Sequence, residues 1–323
     1  TDPKTGNLTV SKTISSNAAD SSKAFNFTVT LGNTSISGTY GDMTFTSGVA
    51  TFTLKGGESK TAEGLPNGVI YTVVEADYTN DGYVTTKRGD EGSIVGDDTL
   101  TAAFTNTRNA EGSLTVSKTL SGNDTDSTKD FTFTIKLNTA LSGTYSGVVF
   151  TNGEATITLK GGESKTIEGL PNGTGYTVTE ADYSADGYEN SNPNGYTGTI
   201  DENTPAVAAF TNTRNTYGNL TVTKTVDGNA GSTTKEFSFT VTLKDTSISG
   251  TYGDMTFVNG VATFTLTDGG SKTATGLPNG VGYTVVEADY TNDGYVTTKR
   301  GDEGTIVGDD TLTAAFTNTR NAE

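Results

Sequence analysis

Apolar and polar residues alternate along most of the chain. Leu8, Val10 and Lys12 share one parity, with Thr9 and Ser11 on the other. Phe25, Phe27, Val29 and Leu31 alternate with Ala24, Asn26, Thr28 and Thr30. The same period runs through Ala50, Phe52 and Leu54, and through Tyr71, Val73 and Glu75. A period of two in segments rich in Thr, Val, Phe and Tyr predicts strands with one buried face. Clusters such as SSNAADSS, KGGES and LPNG predict the turns between them. No stretch carries a helical period. Several short strands in about 100 residues predict an all-β, immunoglobulin-like β-sandwich with Greek-key-like connections.

The pattern is repeated. NLTVSKT at Asn7 returns as SLTVSKT at Ser113 and NLTVTKT at Asn219. LPNG stands at 65–68, 170–173 and 277–280, and AAFTNTRN at 102–109, 208–215 and 314–321. YTVVEADY, or YTVTEADY in the second copy, lies between them. From Tyr71 and Tyr283 onward the first and third copies are nearly the same, whereas the second departs between Tyr183 and Ala206. The expected organisation is three tandem domains at 1–110, 111–216 and 217–323, each of ordinary size for a unit with its own core. The linkers TRNAEGS and TRNTYGN are too short for free tumbling, so neighbouring repeats are each other's first partners and an elongated rod is expected.

Composition narrows the chemistry. No apolar run approaches the roughly 20 residues of a membrane-spanning helix. A net charge of −17 argues against nucleic acid, whose phosphates require a basic surface. It suits a soluble, self-repelling monomer. With no signal peptide, anchor or sorting motif, the chain is expected to be a fragment of something longer. It contains no Cys, His, Trp or Gln. Disulfides, conventional catalytic triads and zinc sites are thereby set aside. So are cross-links that need Cys or Gln.

Parity also exposes a conflict. If the alternating apolar faces form the core, Lys12, Glu75 and Asn106 point inward. Lys118, Glu180 and Asn212 do so in the second copy, and Lys224, Glu287 and Asn318 in the third. Burying a charge costs several kcal/mol unless it is paired or neutralised. A buried ion pair completed by the amide is one reading, and strand-end side chains reaching water is another. A third is chemical. Desolvation favours a neutral, nucleophilic lysine amine and a neutral carboxyl group. Such a carboxyl can polarise an asparagine carboxamide and pass protons to departing ammonia. The product is a Lys–Asn side-chain amide, made by proximity and desolvation without a cofactor.

LTVSKT, YTVVEADY and FTNTR, in that order, resemble the collagen-adhesin B-type (CnaB-like) domains of Gram-positive surface adhesins and pilins, and the resemblance covers all three copies. It implies an intramolecular isopeptide bond between first and last strands, with the glutamate as catalyst. Carried over, these are Lys12–Asn106 with Glu75, Lys118–Asn212 with Glu180, and Lys224–Asn318 with Glu287. The function implied is an extracellular stalk anchored at the bacterial cell wall through other regions, which would also contact any host ligand. Two alternatives stand beside it: a module that itself binds host protein or glycan, and a polymerising pilin subunit. The second would need a lysine for intermolecular linkage, for which Lys4 is a poor candidate, and a sorting signal. A conventional enzyme is not expected.

Other residues compete for these roles. Lys23, Lys129 and Lys235 are expected at strand mouths with their ammonium groups in water. Lys60, Lys165 and Lys272 read as solvated turn residues, and Asn109, Asn215 and Asn321 as caps or turns at the junctions. LPNG reads as a turn. The loops DYTNDGY and VGDDT are acidic, but their spacing does not match a calcium loop, and no metal is assigned. Tyr83, Tyr188 and Tyr295 are expected to pack in the sandwich.

Overall fold

A computed structural model describes residues 3–18 and 20–322. Ala19, within the SSNAADSS turn, and the outermost residues of the first and third domain assignments lie outside the described residues. Among its described residues the first repeat contains ten strands. They are β1 (Thr5–Ser16), β2 (Phe25–Leu31), β3 (Gly38–Tyr40), β4 (Met43–Phe45) and β5 (Val49–Leu54), followed by β6 (Ser59–Pro66), β7 (Ile70–Glu75), β8 (Val84–Arg88), β9 (Glu91–Ser93) and β10 (Thr99–Arg108).

Two four-stranded sheets face each other, in the orders β6-β1-β10-β8 and β5-β2-β7-β9, with β3 and β4 forming a separate hairpin. From β5 to β10 each strand lies in the opposite sheet from its predecessor. That arrangement explains the alternation along the sequence. Each strand turns one face into the space between the sheets and the other to solvent. Phe25, Phe27, Val29 and Leu31 on β2 are all at most 2% exposed, and Leu8, Val10, Ala102 and Phe104 face them from β1 and β10. Phe27 meets Phe104 edge-on with ring centroids 5.2 Å apart, locking the two sheets together.

One pairing sets up everything that follows. The first and last strands are adjacent and parallel, with Lys12 opposite Phe104 and Ile14 opposite Asn106. The other strand pairs of the two sheets are antiparallel. The second and third repeats form their own cores on the same plan, pairing Glu111–Ser121 with Ala206–Thr213 and Tyr217–Asp227 with Thr311–Thr319. The second repeat differs where its sequence departs. The counterpart of β8 shrinks to Glu189–Asn190.

Two positions differ from expectation. Lys60, Lys165 and Lys272 are strand residues, not turn residues, and are half-buried. Lys60 lies opposite Val10 on the inward face at the sheet edge, with its ammonium 5.8 Å from the Phe52 ring. LPNG is a turn only in its second half. Leu65, Leu170 and Leu277 are fully buried. Gly68, Gly173 and Gly280 take φ of 83°, 84° and 85°, a left-handed conformation that suits glycine.

Candidate functional site

Lys12 and Asn106 project inward from neighbouring parallel strands, and Glu75, the last residue of β7, reaches them from the opposite sheet. The parallel register sets Asn106 two positions beyond Lys12 on the same face, a diagonal that a four-carbon side chain spans. Lys12 is 1% exposed and Asn106 not at all. The Lys12 Nζ and Glu75 Oε1 are 2.7 Å apart, with side-chain exposures of 0% and 2%. The same distance separates Lys118 from Glu180 and Lys224 from Glu287. Each triad predicted from parity is thus brought together.

Hydrogen bonding within the triads is incomplete. Lys118 and Lys224 donate to their glutamates. In the first repeat Lys12 Nζ lies the same 2.7 Å from Glu75 Oε1. There Asn106 Nδ2 donates to Glu75 Oε1 at 3.3 Å. The carboxamide oxygens of Asn106, Asn212 and Asn318 have no donor among the described residues. An orphaned buried acceptor costs about 1–3 kcal/mol. Three such sites at equivalent positions mark a recurring arrangement.

The lysine environment is apolar on its remaining side. The ammonium nitrogens sit 4.2, 4.2 and 4.0 Å from the ring centroids of Phe25, Phe131 and Phe237. Burial pushes all three lysines below the ordinary amine range, outweighing the opposing pull of each glutamate. A neutral amine is therefore accessible in the site.

A further polar contact escaped the sequence reading. Thr85 donates to Glu75 Oε2 at 3.2 Å, and Thr297 to Glu287 Oε2 at 3.3 Å. Both threonines lie opposite the triad asparagine in the register. In the second repeat that place belongs to Asn190, whose Oδ1 instead accepts from the Asn192 backbone N–H. Glu180 Oε2 is left buried without a partner. A cleft of about 620 Å³, lined by Glu180, Tyr183, Tyr188, Asn190 and Asn212 among others, opens beside it. The only signal in the sequence was that the second copy departs in this segment.

The competing residues fall elsewhere. Lys23, Lys129 and Lys235 stand at strand mouths but are partly covered. Each pairs with an aspartate, Asp81, Asp186 or Asp293, and lies 5.0, 4.9 or 5.0 Å from the ring of Tyr78, Tyr183 or Tyr290. Asn215 and Asn321 accept the backbone N–H groups of Asn123 and Asn229, a cap at the junction. Tyr83, Tyr188 and Tyr295 are 4%, 6% and 3% exposed and pack edge-on against Phe25, Phe131 and Phe237, so they offer no platform to a glycan. Asp77, Asp182 and Asp289 in the acidic loops accept from backbone N–H groups two residues on, closing local turns.

A family profile described as a domain of unknown function (DUF7601) matches residues 6–108, 112–214 and 218–320. The pilus tip adhesin Cpa of Streptococcus pyogenes is 49% identical over 80 residues, covering 23% of this chain. The chain spans only 12% of that relative's length. Among solved structures, the major pilin of Streptococcus pyogenes is 24% identical, covers 65% of this chain and 99% of its own, and superposes with a TM-score of 0.34. The Bacillus anthracis TIE protein is 19% identical, covers 98% of this chain and 51% of its own, with a TM-score of 0.33.

Proposed function

The chain belongs to the DUF7601 domain family in all three of its repeats, and we propose that it forms a covalently braced stalk segment of a Gram-positive surface adhesin or pilus. One observation carries the covalent part. In every repeat a desolvated lysine amine, a glutamate and an asparagine with an unpaired carboxamide oxygen converge where the first and last strands run side by side. The partial match to a pilus tip adhesin supports a place at the cell surface, and the acidic charge suits one.

The proposed chemistry runs once per repeat and has no external substrate. Lys12 gives a proton to the Glu75 carboxylate 2.7 Å away. The resulting neutral amine attacks Asn106 Cγ, while the protonated Glu75 donates to the carboxamide oxygen as it gains charge. The tetrahedral centre collapses, the Cγ–Nδ2 bond breaks, and Glu75 relays the proton that lets ammonia leave. One amine and one primary amide become one secondary amide and ammonia. The product amide has one N–H where the ammonium had three, so it needs fewer acceptors in the core. Glu180 with Lys118 and Asn212, and Glu287 with Lys224 and Asn318, act in the same way.

The intact mass of the mature chain tests this directly. It should fall short of the sequence mass by three ammonia molecules, and tandem mass spectrometry should find Lys12 joined to Asn106, Lys118 to Asn212 and Lys224 to Asn318. An unmodified mass would overturn the proposal.

A further inference from the structure

The LPNG turns and the asparagines of the loop after each first strand take no part in the triads, yet they meet at both junctions between repeats. Asn17 of the first repeat grips the linker residue Ala110 with both ends of its carboxamide. Its Nδ2 donates to Ala110 O and its Oδ1 accepts from Ala110 N, each at 2.8 Å. The turn asparagine of the second repeat, Asn172, closes on both partners. Its backbone N–H donates to Ala110 O at 2.9 Å and its Nδ2 to the Asn17 carbonyl at 2.6 Å. Asn172 Oδ1 is meanwhile held by the Glu202 backbone N–H.

The second junction repeats this arrangement atom for atom. Asn123 grips Thr216 at 3.1 and 2.9 Å, and Asn279 reaches Thr216 O and the Asn123 carbonyl at 3.0 and 2.8 Å. In the third repeat Asn229 already holds Ala322 N at 2.6 Å with no turn asparagine against it among the described residues, so this half of the contact is preformed. The surroundings differ between junctions. Arg108 crosses to Glu202 with a bidentate pair at 3.1 and 2.6 Å. Arg214 turns back to Asp124 of its own repeat, and the position of Glu202 is taken by Gly308, where a Cβ would lie 2.0 Å from Thr216 Oγ1. The asparagine contact is common to both junctions, and the charges are not.

We propose that this asparagine clasp is a head-to-tail docking surface whose partner is the next copy of the same domain, and that it fixes one orientation between successive repeats. Four directed hydrogen bonds from three chain segments define an angle, which a short linker alone does not. The clasp stands apart from the cross-link, and its test does not depend on it.

The chain has no cysteine, so spin labels attach only where cysteine is introduced. Thr51→Cys, Thr156→Cys and Thr263→Cys place labels on exposed edge-strand positions of the first, second and third repeats. Pulsed electron resonance should give single narrow distance peaks for the 51/156 and 156/263 pairs. Asn172→Asp keeps the acceptor for Glu202 N–H but removes the donor to Asn17. It should broaden the 51/156 peak and leave 156/263 unchanged, and Asn279→Asp should do the reverse. The intact mass should stay as in the parent chain apart from the substitution itself. Parent-like peaks in both variants, or broad peaks in the parent, would overturn the proposal.

Discussion

Lys118 and Glu180 meet 2.7 Å apart in the middle of the second sandwich, both side chains fully buried and each from a different sheet. As a permanent ion pair this would be a poor stabiliser. Desolvating two charges costs several kcal/mol each, and buried pairs often do no better than apolar residues of the same volume. As a stage in a reaction that ends in a neutral amide, the same burial is useful, because it weakens the amine's hold on its proton.

Replacing one glutamate isolates its role. Glu75→Gln should leave one ammonia in the intact mass and no Lys12–Asn106 link, with the other two repeats unaffected. Losing a link that closes almost a whole domain should cost the first repeat about 4–5 kcal/mol by the long-loop entropy estimate. Urea unfolding of the full chain should then show one early transition that the parent lacks. A parent-like mass would remove Glu75 from the mechanism.

The unlinked state should respond to pH in a definite direction. In Asn106→Ala the Lys12 amine persists, and burial holds it below the ordinary value of 10.5. The unfolded chain therefore keeps this proton to higher pH than the folded chain, and stability rises with pH between the depressed value and 10.5. Below that window the cost of charging the buried amine is fully felt. Urea midpoints of Asn106→Ala, compared with Lys12→Met/Asn106→Ala to cancel other titrations, should converge in favour of the single variant as pH rises. A pH-independent difference would contradict the desolvated amine.

Period-two patterning made the inward faces legible, and with them Lys12, Glu75 and Asn106, because a half-buried strand betrays its core side at every second residue. It could not reveal that β1 and β10 are neighbours, since alternation reports faces and not pairings. The order of the motifs and the family resemblance supplied that expectation. Thr85 went unseen because β8 is exposed along its whole length and carries no alternation. Lys60 was misplaced because KGGES adjoins it and a charged residue stands at the inward position opposite Val10, where an apolar one would have shown the strand. Asn17 lay in a recognisable turn cluster, but its partner Ala110 is 93 positions away, beyond any local pattern.

The second repeat should mature last. Thr85 and Thr297 each hold one glutamate oxygen and so restrict the movement of the carboxyl group during proton transfer, whereas Glu180 lacks this support. In newly made chain captured early in synthesis, before the links close, peptide mapping should find the Lys118–Asn212 link forming more slowly than its counterparts. Thr85→Val should slow the first repeat by roughly tenfold, the rate equivalent of about 1.4 kcal/mol for one lost hydrogen bond. Asn190→Thr should speed the second. Equal rates in all three repeats would show that the threonine hydroxyl is dispensable.

Force should travel through the links. Tension entering at the start of β1 and leaving at the end of β10 loads two parallel neighbouring strands in shear, and a Lys12–Asn106 amide would bridge them directly. The chain between these residues would then be shielded, leaving only strand ends and linkers free to extend. In single-molecule pulling, the parent should show no domain-sized extension in any repeat. Asn106→Ala should add one event of roughly 300 Å, the contour length released at about 3.3 Å per residue when the first repeat unravels. The triple variant Asn106→Ala/Asn212→Ala/Asn318→Ala should show three such events. Domain-sized events in the parent would mean that the load passes through hydrogen bonds alone, and the chain would be no stronger than any unlinked sandwich.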